Sequence, residues 1–139
     1  MRYLIDTNVF IQFVIDEYDI SENVQQIFDD YSNQIYISSE SIKEFIHLVQ
    51  NEKIKPSKGK ISFNLFDLFD FVEDKLGFHV KYVTKEHLKT LTKLKTIENH
   101  NDPSDRLIIA QAITEKLPLI SSDKKFPKYR KQGLDFIPN

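Results

Sequence analysis

Cysteine is absent from the 139 residues, which removes disulfides, thiolate metal sites and a thiol nucleophile from consideration and fits a reducing compartment. The expected location is the cytoplasm. An excess of basic charge is lacking too. Lys and Arg number 19 against 21 Asp and Glu, a formal charge of −2, so no global field draws the chain to nucleic acid and any such contact has to be local. Lysines do cluster in NEKIKPSKGK (51–60), HLKTLTKLK (87–95) and DKKFPKYRK (123–131), but solubility is the ordinary reason for surface lysine. No apolar run is long and charge-free enough to span a bilayer, so no membrane association is expected. The opening MRYLIDTNVFIQFVIDE carries Asp6 and Asn8 inside its apolar stretch and has no small-residue cleavage site, so it reads as folded structure and not as a signal peptide. Histidines in metal-ligand spacing are missing: His47, His79, His87 and His100 are scattered, and of these only His100 is worth following. SKGKIS (57–62) holds one glycine with no strand before it, too little for a phosphate loop.

What is present is a 40% hydrophobic chain of a length suited to one core, so a single domain over residues 1–139 is expected, with no repeat, low-complexity tract or linker. Tyr3–Ile5 is a short apolar run ending in Asp6-Thr7-Asn8, after which VFIQFV resumes at once, the pattern of a strand feeding directly into a helix. Ile35–Ile37 reads as a second strand, followed by a helix from about Ser39 to Glu52 with Ile42, Phe45, Ile46 and Val49 on one face. An amphipathic helix with an acidic polar face is expected over Ile61–Leu76, ending at Gly77. Its phenylalanines, Phe63 to Phe71, suit a core or a dimer interface, or alternatively a groove for a partner helix. Phe78–Val83 reads as a third strand, and Lys85–Lys95 as a helix with Leu88, Leu91 and Leu94 on one side. NHNDPSDRLIIAQAI (99–113) places Pro103 in the first turn of a helix apolar enough to be buried. Pro118–Ser122 and Leu134–Ile137 complete the strands. Strands alternating with helices predict an α/β fold: a three-layer α/β/α sandwich around a parallel sheet of about five strands.

In such sheets ligands bind beyond the carboxyl ends of the strands. Asp6 follows the first strand and Asp123 the fourth, so neighbouring strands would bring their carboxylates to one edge. Asp105, in the first turn of the buried helix, is four residues before Ile109 and seven before Ala112, a spacing that turns it toward the sheet. Glu44 lies on the helix leaving the second strand at the same edge. Crowded carboxylates ionise poorly without a cation, and oxygen ligands suit Mg²⁺ or Mn²⁺. Each acid also has a structural reading as a helix cap. Asp102, just before Pro103 and three residues before Asp105, is foremost a cap, with a place beside the metal as the alternative. Ser41 and Glu44 have the spacing of a capping box, and periodicity places Glu44 off the apolar arc. Asp6 and Asp105 are harder to explain structurally, since each is embedded in apolar sequence where an unpaired carboxylate is costly.

YLIDTNVFI (3–11), Glu44 in SSESIKEF, NHNDPSDRLIIAQA (99–112) and LISSD (119–123), in this order over essentially the whole chain, resemble the PIN domain, and within it the VapC-type toxins and PIN proteins whose third motif carries a His before an Asp-Pro pair. The resemblance implies that Asp6, Glu44, Asp105 and Asp123 form the acidic metal-binding and catalytic set. It implies that Thr7, Asn8 and Ser121 orient those carboxylates and their waters, and that Arg106 is structural, substrate-facing or both. It further implies an Mg²⁺- or Mn²⁺-dependent endoribonuclease, an RNA substrate, a small cognate antitoxin protein and a homodimer. Ser104 departs from relatives that carry an aromatic residue between the Pro and the Asp, which bears on substrate shape before metal binding. Three other readings remain: a housekeeping RNA-processing nuclease, a non-catalytic binding module of the same fold, and a phosphatase-like hydrolase. The last requires a second Asp two positions after the first, where Asn8 stands.

Overall fold

The computed structural model describes residues 1–15, 19–55 and 64–139. SKGKIS (57–62), half of the first lysine cluster, and Phe63 lie outside the described residues.

Five short strands, β1 (Arg2–Ile5), β2 (Gln34–Ser38), β3 (His79–Lys81), β4 (Leu119–Ser121) and β5 (Phe136–Pro138), form one sheet in the order β3-β2-β1-β4-β5. Every pairing is parallel, as the sequence predicts. Strand alternation divides the core in two. Tyr3, Ile5, Ile35, Ile37 and Ile120 join α1 (Thr7–Ile15), α2 (Glu22–Asp29) and α3 (Ser39–Gln50) in one apolar cluster. Leu4 and Leu119 turn to the other face, against Ile108, Ile109 and Ala112 of α6 (Pro103–Glu115). Helical layers on both faces of a parallel sheet make the expected α/β/α sandwich.

Several elements differ from expectation. α2 is not evident from the sequence pattern; its N-cap is Ser21, whose hydroxyl accepts from Val24 N–H at 3.3 Å. The helix expected over Ile61–Leu76 is irregular where described: a 3₁₀ turn (Leu65–Asp67), one α turn, α4 (Leu68–Asp70), and a π turn (Phe71–Lys75). Leu68, Phe71 and Val72, at i, i+3 and i+4, are buried, while Phe66 in the preceding 3₁₀ turn is 92% exposed. The segment ends as expected at Gly77, which takes φ +70°. α5 (Lys85–Lys93) stops two residues early, and its buried residue is His87, with Leu88 exposed. The reason is a polar tie. Thr84 N–H donates to His87 Nδ1 at 3.0 Å, and His87 Nε2 meets Glu115 Oε1 at 2.9 Å, locking α5 to α6 through its histidine face. Among the described residues no helix is long and apolar enough to cross a membrane.

Candidate metal centre at the carboxyl edge of the sheet

Because β1 and β4 are neighbours, with Ile5 opposite Ile120, the residues that follow them emerge side by side. Asp6 N–H donates to the Ile120 carbonyl at 3.2 Å, and the Asp6 side chain turns inward, only 3% exposed. Its Oδ1 accepts Val9 N–H at 2.8 Å, capping α1, and its Oδ2 accepts the Ser121 hydroxyl at 2.5 Å. The capping reading is thus correct for Asp6 without accounting for its burial. Burial pushes the Asp6 carboxyl up to about 7, the bonds from Ser121 and Val9 opposing this and the Asp105 and Asp123 charges adding to it.

Asp123 is set by the same serine. Its N–H donates to Ser121 Oγ at 3.0 Å, and its Oδ1 accepts Lys125 N–H at 2.8 Å. Asp105 comes from the first turn of α6, where Asp102 is the N-cap and accepts Asp105 N–H at 3.1 Å. Asp102 is exposed and Pro103 occupies the first turn, so the cap role is the one this geometry displays. The Asp105 carboxyl is raised to about 6, first by burial and then by the Asp102 charge, with His100 opposing and Asp123 adding.

Glu44 stands to one side. It is half-buried on α3 and raised above the usual carboxylate range, first by burial and then by the Asp102 and Glu40 charges, with the Thr7 and Ser104 hydroxyls opposing. The capping-box reading fails, because α3 begins earlier, at an N-cap Ser38 that accepts Glu40 N–H at 3.0 Å. Ser41 lies inside the helix, buried, and its hydroxyl bonds that of Thr7 at 2.9 Å. Ser104 donates to Glu40 Oε1 at 2.9 Å, which makes Glu40 a neighbour of the site that the sequence pattern does not single out. Asn8 is exposed at the start of α1. Arg106 points away from the acids, donating to the Leu94 carbonyl at 2.7 Å and so anchoring the segment that leads into α6.

The histidine worth following is part of the cluster. Asn99, at φ +63°, turns the chain so that His100 N–H reaches the Ile97 carbonyl at 3.0 Å; Asn tolerates this left-handed conformation. The ring is buried, with Nδ1 2.6 Å from Tyr129 Oη and Nε2 3.3 Å from Asp105 Oδ2. Among the described residues His100, Asp105 and Asp123 each present an atom of ligating type within 4.8 Å of one another. Buried Asp6 borders this group electrostatically. Oxygen donors dominate, and two of the carboxyls ionise reluctantly in the absence of a counter-charge. The donor set therefore fits a hard divalent cation such as Mg²⁺ or Mn²⁺.

Solved structures of similar fold include toxin–antitoxin complexes. The chain is similar to a chain of VapBC2 from Rickettsia felis bound to a promoter DNA fragment, with TM-score 0.70 and 20% identity, covering 100% of this chain and 99% of that one. It is also similar to DNA-bound VapBC from Salmonella typhimurium, with TM-score 0.68 and 17% identity over 99% and 98%. FitAcB from Neisseria gonorrhoeae matches with TM-score 0.63 and 17% identity over 99% and 96%. Comparison with curated proteins returns no match. The PIN domain profile matches residues 3–132, nearly the whole chain and every acid of the cluster, and the chain belongs to the PIN domain family.

Proposed function

We propose that this chain is a metal-dependent endoribonuclease and the toxin of a type II toxin–antitoxin pair. The observation that carries the reading is the meeting of Asp6, Asp105 and Asp123, from three distant parts of the chain, at the edge of the sheet where parallel α/β folds bind ligands. Asp6, Asp105 and Asp123 would hold the cation, Mg²⁺ or Mn²⁺, with Glu44 contributing from the flank. The bound cation supplies Lewis acidity at an RNA phosphodiester and offsets the charge that develops there.

The protein's own groups set the stage for that chemistry. Ser121 fixes the Asp6 carboxylate and the backbone of Asp123 together. The Thr7 hydroxyl bonds that of Ser41 on α3, and Asn8 is exposed at the start of α1. Asp102 caps α6, and Arg106 ties that helix to the preceding loop. The likeness to solved toxin–antitoxin complexes supports a small antitoxin as partner, and cytoplasmic action on RNA as a homodimer completes the reading.

The test is cleavage of single-stranded and structured RNAs by the purified protein with Mg²⁺, with Mn²⁺ and with chelator. Cutting that requires the metal supports the nuclease. Absence of cutting by a folded protein that binds neither ion would move the assignment to a non-catalytic binding module.

A further inference from the structure

His100 can serve the acidic cluster in two ways, as a nitrogen ligand to the cation or as a hydrogen-bond donor to Asp105, and the choice is decided by Tyr129. Tyr129 is fully buried, and its hydroxyl, 2.6 Å from His100 Nδ1, has no other hydrogen-bond partner among the described residues. A phenol has one hydrogen to place. If Nδ1 carries a proton, whether in the neutral ring or the imidazolium, the Tyr129 hydroxyl becomes an acceptor and its own hydrogen is left buried without a partner, an arrangement folded proteins avoid. If Nδ1 is bare, Tyr129 donates to it, the ring proton sits on Nε2, and Nε2–H points to Asp105 Oδ2 at 3.3 Å. Every hydrogen then has an acceptor. Ring contacts fix the imidazole plane: His100 meets Phe126 and Tyr129 edge-on, with centroids 5.7 and 5.4 Å apart.

We infer that Tyr129, His100 and Asp105 form a directed chain of hydrogen bonds in which His100 is a positioning residue and not a metal ligand. Tyr129 sets the tautomer, and the tautomer makes Nε2 a donor that engages one oxygen of Asp105. The other oxygen is thereby left available to a cation. The arrangement resembles the use of outer hydrogen bonds to orient ligating side chains in metal sites generally, where loss of the partner costs about 10- to 100-fold in metal affinity. His87 provides a reference for the same tautomer within the molecule, since Thr84 N–H donates to its Nδ1 and leaves Nε2 to donate to Glu115. This inference rests on the proposed metal-dependent function but is read partly without metal.

The experiment is nitrogen-15 NMR of the histidine side chains in the full-length protein, before and after addition of Mg²⁺, with the His100 resonances assigned by H100Q. The expected result is that His100 has a bare Nδ1 and a protonated Nε2, as His87 has, and that Nε2 keeps its proton when Mg²⁺ binds. Y129F should then release the tautomer and populate the Nδ1–H form, with Mg²⁺ affinity falling by about tenfold. A protonated Nδ1 in the metal-free wild type, or loss of the Nε2 proton on Mg²⁺ binding, would overturn the inference. The wild-type spectrum decides the matter even if Y129F fails to fold. Mg²⁺-dependent RNA cleavage with the wrong tautomer would leave the nuclease standing and remove the role of His100. The expected tautomer in a protein that binds no divalent ion would keep the hydrogen-bond chain and remove its function.

Discussion

The hydroxyl of Ser121 donates to Asp6 Oδ2 at 2.5 Å while accepting the N–H of Asp123 at 3.0 Å. One side chain at the end of β4 thus sets two acids that lie 117 positions apart in sequence, and it does so while fully buried. Ser121→Ala should leave the Asp6 carboxylate one donor short. The expected cost is about 1–3 kcal/mol in stability at a pH where Asp6 is ionised, together with weaker Mn²⁺ binding. Denaturant unfolding with and without Mn²⁺ checks both, and unchanged binding would remove the serine from the site.

Asp6 and Asp105 make the metal-free protein pH-sensitive in a definite direction. Both carboxyls are raised in the folded state, to about 7 and about 6, so the folded chain holds more protons than the unfolded chain between the ordinary carboxylate range and those values. Their contribution to stability is present below about pH 4 and is lost as pH rises through 6 and 7. The chelated protein should therefore lose melting temperature over that window relative to Asp105→Asn. A divalent cation should restore more at pH 8 than at pH 5. Equal gains from Mg²⁺ at both values, measured by thermal melts, would show that these carboxyls do not meet the ion.

Asp102 separates the structural from the chemical acids. Asp102→Asn retains a cap, and retention of much of the cleavage activity is expected. Asp102→Ala should cost about 1 kcal/mol through the lost bond to Asp105 N–H. A complete loss of activity in Asp102→Asn, with the fold intact, would place this residue among the metal ligands.

Glu115 tests a part of the molecule remote from the cluster. Its carboxyl is held below the usual range, first by the bond from His87 and further by the Lys81 charge. The stability it adds is present above the ordinary carboxylate range and is lost as pH falls through the lowered value. Glu115→Gln should narrow the difference in melting temperature between pH 7 and pH 3 while leaving metal binding unchanged. An altered Mn²⁺ affinity would show that the tie between α5 and α6 reaches the site.

The strand-then-acid pattern made the carboxyl edge legible, because a parallel sheet forces whatever follows neighbouring strands to one side. Asp6 and Asp123 follow from that pattern, and Asp105 from its place in the first turn of the buried helix. Glu44 was harder to read. Its spacing from Ser41 imitates a capping box, and only the true helix start at Ser38 removes that explanation. His100 was visible as a histidine near acids, but its partner Tyr129 lies 29 residues later in a lysine-rich segment, and no periodicity links them. Leu88 illustrates the opposite error. Its hydrophobicity suggested burial, whereas the packing of α5 follows the hydrogen bonds of His87. The π turn after α4 escaped notice for a similar reason, since a change of helical phase leaves no compositional mark.

In the proposed function the converging carboxylates drive RNA cleavage. Asp6→Asn and Asp105→Asn, each shown to be folded by circular dichroism, should reduce Mn²⁺-dependent cleavage to background beside an active wild-type protein. Wild-type rates in both variants would contradict it.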